Sequence, residues 1–93
     1  MGNYELVVLL SSKTTQAKKK QIEKDLSKII EVLKGSIDLR DSWDQVDLAY
    51  KIKENSSGKF LFFDLKLPKE SIKVLNDKLR LNEDILRFLI IKK

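Results

Sequence analysis

The order of its apolar patterns constrains the fold of this chain more than any other feature. Tyr4–Leu10 is a short apolar run with β-branched members, which predicts a buried strand. Apolar residues then recur at helical spacing in one stripe, formed by Ile22, Leu26, Ile29, Ile30 and Leu33. Thr14 or Thr15 can cap this helix, and Gly35 is predicted to end it as a left-handed cap. The chain therefore opens as a strand followed by a helix.

The rest of the chain is predicted to form two strands, a second helix and a final strand. A long strand is predicted from Ser36 to about Lys53, and the turn cluster ENSSG follows it. Lys59–Leu67 is a further strand, rich in aromatic residues, and Pro68 suits the first turn of a second helix. The stripe of that helix is Ile72, Leu75 and Leu79. Ile85–Ile91 is predicted as the last strand.

This order of elements predicts an α+β fold of the ferredoxin-like class. In the βαββαβ arrangement, a four-stranded antiparallel sheet carries two helices on one face. Right-handed crossovers place the first and third strands in the centre of the sheet. The length of 93 residues suits one such domain, so we predict a single domain over residues 1–93.

The long second strand changes parity along its length. Its apolar residues are first odd-numbered and then even-numbered: Ile37, Leu39, Trp43, Val46, Leu48, Tyr50 and Ile52. Alternate residues of a strand face opposite sides of a sheet, so keeping both sets inward requires one extra residue. We predict a bulge near Asp44–Gln45, and we predict that Leu48, Tyr50 and Ile52 lie in the core.

The third strand has apolar residues on both of its faces. One set, formed by Leu61, Phe63, Leu65 and Leu67, is predicted to face the helices. Phe60 and Phe62 then point to the other face, which has no helix to cover it. Leaving both in water forgoes roughly 1.5–3 kcal/mol each. We therefore predict a contact patch at these two residues, extended by Leu89 of the last strand.

Composition narrows the possible functions. The chain has no cysteine and no histidine, which excludes thiolate metal sites, cysteine nucleophiles and histidine acid–base catalysis. The net charge of +5 fits either solubility or a polyanionic partner. The acids at Asp38, Asp41, Asp44 and Asp47 indicate a solvated edge strand rather than a catalytic site. We predict no cofactor, no small-molecule substrate, no membrane partner and a cytoplasmic location.

Two alternative functions follow from the residues alone. Gly58–Phe63, GKFLFF, places aromatics on the open face, where RNA recognition motifs stack bases. The match is loose, because Gly58 precedes Lys59 and Leu61 stands where a small residue is usual. An acylphosphatase-like hydrolase would need a glycine-rich phosphate loop after the first strand, where this chain reads LSSKTTQ. An autonomous reader of single-stranded RNA is therefore the stronger alternative.

Three segments of the chain resemble one family. NYELVVLL, DLAYKI and LRLNEDILRFLIIK are similar to the opening, the Leu-Ala-Tyr-Pro-Ile signature and the closing turn and strand of the bacterial small-subunit ribosomal protein numbered six. They are spaced as in that family. The resemblance implies a non-enzymatic constituent of the small ribosomal subunit. It also implies binding to the central domain of small-subunit ribosomal RNA, together with ribosomal protein eighteen, by a chain that is not an obligate homo-oligomer.

The same resemblance implies where the two partners bind. RNA is expected at Tyr4, Arg80, Arg87, Lys92 and Lys93, and the arginines and lysines suit contacts to phosphate. Ribosomal protein eighteen is expected on a patch formed by Phe60, Phe62, Ala49 and Leu89, because protein interfaces favour aromatic residues.

One departure from the family lies just before Leu-Ala-Tyr. The family usually has Gly-Arg-Arg there, whereas this chain has Asp44, Gln45, Val46 and Asp47. Lys51 also replaces the usual proline of the signature. We therefore transfer no RNA contact from the family to Gln45 or Val46.

Overall fold

The sheet has the predicted topology. In the computed structural model, which describes residues 2–93, four strands lie in the order β2-β3-β1-β4, and all neighbouring pairs are antiparallel. The strands are β1 Gly2–Ser11, β2 Ser36–Ile52, β3 Asn55–Leu67 and β4 Ile85–Lys92, and the helices are α1 Gln16–Val32 and α2 Ile72–Arg80. The predicted ferredoxin-like fold, with its first and third strands in the centre, is confirmed. Within residues 2–93, no helix is both long enough and apolar enough to span a membrane.

The core lies between the sheet and the two helices. Alternate residues of the central strands fill it, as the period of two predicts: Tyr4, Leu6, Val8, Leu10, Leu61, Phe63, Leu65 and Leu67. The helices contribute Ile22, Leu26, Ile30, Leu75 and Leu79. The face of the sheet opposite the helices is called the open face below.

The ends of α1 show one prediction confirmed and one corrected. Thr15 is the N-cap, and its Oγ1 accepts a hydrogen bond of 3.1 Å from the backbone N–H of Lys18. The left-handed residue after the helix is Lys34, with φ of 63°, and not Gly35 as predicted. Gly35 is needed because a Cβ there would clash with the backbone oxygen of Lys66 and the side chain of Leu67. Its role is a close approach to β3 rather than a helix cap.

The pairing of β2 with β3 is interrupted by register shifts. One lies at Asp44–Gln45, where Gln45 has φ of 56°, and the bulge predicted there is confirmed. Another lies just before the hairpin turn. Because β1 pairs with β3 only as far as Gly58, the end of the hairpin extends past β1. Residues 47–57 therefore form an arm.

A further shift, not predicted from the sequence, lies between Leu39 and Asp41. It leaves Arg40 as an extra residue and reverses the parity of β2 at that point. Leu39 pairs with Phe63 on the helix side, whereas Trp43 pairs with Phe60 on the open face. Trp43 therefore lies on the face opposite to Leu39, although both are odd-numbered.

The predicted core in the second half of β2 is wrong. Tyr50 is 69% exposed, and Leu48 and Ile52 are only partly buried and lie outside the core cluster. Leu48 and Ile52 line a small cavity with Leu9 and Phe60 on the open face. Their side chains cover part of that face instead of packing under the helices.

Candidate protein and nucleic-acid interfaces

An aromatic cluster lies on the open face of the sheet. Phe60 and Phe62 project from β3 with ring centroids 6.2 Å apart, and the ring of Trp43 packs on Phe62 at 4.7 Å. The Nε1–H of Trp43 donates a hydrogen bond of 3.0 Å to Asp41, which holds the indole in place. Trp43 is nevertheless 53% exposed. The sequence missed Trp43 as part of this patch, because only the bulge at Arg40 brings it to the open face.

The central strand β1 and the edge strand β4 extend this apolar surface. Val7 pairs with Phe62 and with Leu89, which is 57% exposed. Leu9 pairs with Phe60 and is almost fully buried, although no helix covers it. The cavity of about 280 Å³ beside it is lined by Val7, Leu9, Leu48, Ile52, Phe60, Arg87, Phe88 and Leu89.

Three residues of the predicted partner patch share this surface, namely Phe60, Phe62 and Leu89. Ala49, the fourth, lies on the arm and is exposed. The arm bends far enough for Leu48 and Ile52 to meet β1 and β4 residues around the cavity. No periodicity in the sequence could have placed these two residues there, since the position depends on how the arm curls.

A charged network borders the aromatic cluster. The guanidinium of Arg40 lies 5.8 Å from the ring centroid of Phe62, and its Nη2 donates to Glu5 at 2.7 Å. Asp64 lies beside Arg40 and Glu5, and its Oδ1 accepts a hydrogen bond of 2.5 Å from the ammonium of Lys93. The hydrogen bond from Lys93 lowers the pKa of Asp64, opposed by partial desolvation and assisted by the charges of Lys93 and Arg40. Since these side chains are partly exposed, the ion pairs organise the surface more than they stabilise the fold.

Basic residues converge along the flank between α2 and β4, which adjoins the open face. Arg80, at the end of α2, and Arg87, on β4, line a groove of about 450 Å³. The arm supplies Lys53 to the same groove. Lys92 lines an adjoining groove, and Asn76 borders both. The four basic residues, Lys53, Arg80, Arg87 and Lys92, are called the basic flank below.

The structure does not bring all five predicted RNA-binding residues together. Arg80, Arg87 and Lys92 share the basic flank. Tyr4 borders the groove of Lys92 but is only 6% exposed and belongs to the core cluster. Lys93 lies apart, paired with Asp64. Lys53 is the residue of this surface that the sequence analysis missed, because its place depends on the bend of the arm.

Fold and surfaces together describe a ferredoxin-like binding domain with one apolar face and one basic flank. The family model for ribosomal protein S6 matches residues 3–92, and the chain belongs to that family. The family membership expected from the resemblance is thereby confirmed.

Individual relatives agree with this assignment. Small ribosomal subunit protein bS6 of Granulibacter bethesdensis is 34% identical over 92 residues, which cover 99% of this chain but 60% of the relative. The bS6 protein of Rickettsia felis is 35% identical, with 99% of this chain and 76% of the relative covered. This chain thus spans less than two thirds of the length of the first of them.

The fold also agrees with a solved structure. The crystal structure of 30S ribosomal protein S6 from Thermotoga maritima matches with a TM-score of 0.88, covering 99% of this chain and 87% of that one. At 20% sequence identity, this likeness concerns the fold.

Proposed function

We propose that the chain is a structural constituent of the small ribosomal subunit in the cytoplasm. In this proposal it binds small-subunit ribosomal RNA through the basic flank and ribosomal protein eighteen through the open face. The observation that carries the proposal is the separation of these two surfaces on a domain of the ribosomal protein S6 family.

The basic flank suits RNA because cations from three different elements line the same groove. Lys53 is on the arm, Arg80 on α2 and Arg87 on β4, and together they line one groove. No acidic residue within residues 2–93 lines that groove. Arginine and lysine at such a site contact phosphates and position a protein on RNA without reading its sequence.

The open face suits a protein partner because its exposed residues are large and apolar. Trp43, Phe62 and Leu89 are only partly covered by the chain itself. Aromatic residues are enriched at the centre of protein interfaces, where their burial contributes most of the binding energy. The proposal assigns ribosomal protein eighteen to this face.

An autonomous reader of single-stranded RNA remains a second candidate. It is favoured by the half-buried rings of Phe60 and Phe62 on a central strand, the position at which RNA recognition motifs stack bases. This alternative predicts binding of short oligonucleotides by the isolated chain, with loss of binding on Phe60→Ala. Our proposal predicts weak oligonucleotide binding that is insensitive to this substitution.

Sedimentation tests the main proposal directly. Tagged chain, produced in its native cells, should migrate with small ribosomal subunits in a sucrose gradient, and a pool found only among free proteins would contradict it. Phe60→Ala combined with Phe62→Ala should weaken binding of ribosomal protein eighteen without unfolding the domain. Val32→Ala, at an exposed apolar residue at the end of α1, is the matched control and should leave binding unchanged.

A further inference from the structure

We propose that the partner on the open face presents a basic segment along β2. In this arrangement its arginine or lysine side chains lie against Asp38 and Asp41 and across the ring of Trp43. The inference rests on the proposed function, because it names the chemistry of the partner segment that the open face receives.

The register of β2 brings these three residues to the same face. Asp38 pairs with Asp64, and Asp41 pairs with Phe62. Trp43 is the next open-face residue along the strand. The extra residue at Arg40 is what aligns them, because without it Asp38 would face away from Asp41 and Trp43. The bulge therefore builds a row of two carboxylates and an indole at the edge of the apolar surface.

Neither of the two carboxylates is paired with a cation of the described part of the chain. The carboxylate of Asp38 makes no hydrogen bond or ion pair with any part of the chain that the structure describes. Asp41 accepts hydrogen bonds from the Nε1–H of Trp43 at 3.0 Å and the N–H of Ser42 at 2.8 Å, but has no cationic partner there. Both lie at the edge of a protein whose net charge is +5. An acidic edge in a basic protein repels RNA phosphates and attracts a basic partner.

The structure already contains one example of the proposed contact. Arg40 lies over the ring of Phe62 while its guanidinium pairs with Glu5 and approaches Asp64. This combination of an aromatic face and carboxylates accommodates a guanidinium through cation–π attraction and charge-assisted hydrogen bonds. Trp43 and Asp41 offer the same combination, with a better cation–π ring, at the exposed margin of β2.

Titration calorimetry with purified ribosomal protein eighteen from the same genome tests this inference. We expect Asp38→Asn combined with Asp41→Asn to weaken binding about 5- to 10-fold at a salt concentration of about 50 mM. The difference from the native chain should shrink at about 500 mM, where surface charges are screened. The control is Glu31→Gln combined with Asp77→Asn, which removes the same charge from exposed positions on the two helices. It should bind as the native chain does.

A second variant separates charge from structure, because Asp41 also holds Trp43 in place. Asp38→Lys leaves that hydrogen bond intact and should weaken binding more than Asp38→Asn. Equal binding by the Asp38 variants and the native chain would overturn the inference, as would a loss that does not change with salt. Protection of Trp43 by single-stranded RNA but not by ribosomal protein eighteen would also overturn it. Failure of the native chain to bind ribosomal protein eighteen at all would instead overturn the proposed function.

Discussion

Lys34 occupies a backbone conformation that suits glycine. It follows the end of α1 with φ of 63°, and its N–H donates to the carbonyl of Glu31 at 3.0 Å. A side chain in the left-handed region is strained, whereas glycine adopts it without a steric cost. We expect Lys34→Gly to raise the free energy of unfolding in urea by about 0.5–1 kcal/mol, since relief of strain exceeds the added entropy of the unfolded chain.

Substitution of the neighbouring Gly35 should change the free energy of unfolding in the opposite direction. A Cβ at Gly35 would meet the backbone oxygen of Lys66, which cannot move without disturbing β3. We expect Gly35→Ala to lower the free energy of unfolding by about 1–3 kcal/mol in the same urea experiment. If Gly35→Ala were neutral and Lys34→Gly destabilising, our assignment of the cap to Lys34 would be wrong.

The pairing of Asp64 with Lys93 predicts how this carboxyl titrates. The hydrogen bond from Lys93 lowers the pKa of Asp64 in the folded chain. A lowered pKa stabilises the fold above the pKa of the unfolded chain, and this contribution disappears as the pH falls through the folded pKa. We expect Lys93→Gln to raise the pKa of Asp64 towards its ordinary value, as followed by carbon NMR of the side-chain carboxyl.

A control for this titration lies on α1. Lys24 is exposed and makes no ion pair within residues 2–93, so Lys24→Gln removes the same charge without touching Asp64. It should leave the Asp64 titration close to that of the native chain. A similar shift in both variants would mean that overall charge, rather than the Lys93 contact, sets the pKa.

Among the elements, α1 allows the sharpest test, because its cap residue could be one of two threonines. Only the hydroxyl of Thr15 accepts a hydrogen bond from the first turn, at 3.1 Å from the N–H of Lys18. Thr15→Ala should lower the free energy of unfolding by about 1 kcal/mol, as measured by chemical denaturation. Thr14→Ala is the control and should change it by less than about 0.5 kcal/mol. The reverse ranking would assign the cap to Thr14.

The strand β2 shows where periodicity stops being informative. The bulge at Asp44–Gln45 could be predicted, because apolar residues on either side of it differ in parity. The bulge at Arg40 could not, because the apolar residues Leu39 and Trp43 on either side of it are both odd-numbered, so the pattern shows no change of face there. Tyr50 failed as a core residue for a related reason. Alternation indicates two different faces but does not show that a helix covers either of them.

At the scale of the whole molecule, the order of elements in the sequence predicted the fold. The two surfaces could be predicted from the sequence only in part. Phe60 and Phe62 could be assigned to the open face because β3 is regular along that stretch. Trp43 and Lys53 could not be assigned to their surfaces, because both depend on the bulges and bend of the hairpin. The five residues that the family resemblance assigns to RNA are therefore divided among the basic flank, the core and an ion pair.

Arg87 is the point at which the two proposed surfaces meet. It lines the groove of the basic flank together with Arg80, and it also lines the apolar cavity of the open face together with Phe60. Ile52 and Phe88 also line both, whereas Arg80 lines only the groove and Phe60 only the cavity. Substitutions on each surface should therefore act on one partner, whereas substitution of Arg87 should act on both.

Three variants test this division. Arg80→Gln should weaken binding to small-subunit ribosomal RNA at saturating ribosomal protein eighteen. It should also reduce the slope of log affinity against log salt by about 0.7–0.9 if it removes one phosphate contact. Phe62→Ala should weaken only the binding of ribosomal protein eighteen and leave that slope unchanged. Arg87→Gln should lower both affinities, because its side chain borders both surfaces. If Arg80→Gln weakened the protein partner as much as the RNA, the two partners would share one surface, and the separation on which the proposed function depends would be refuted.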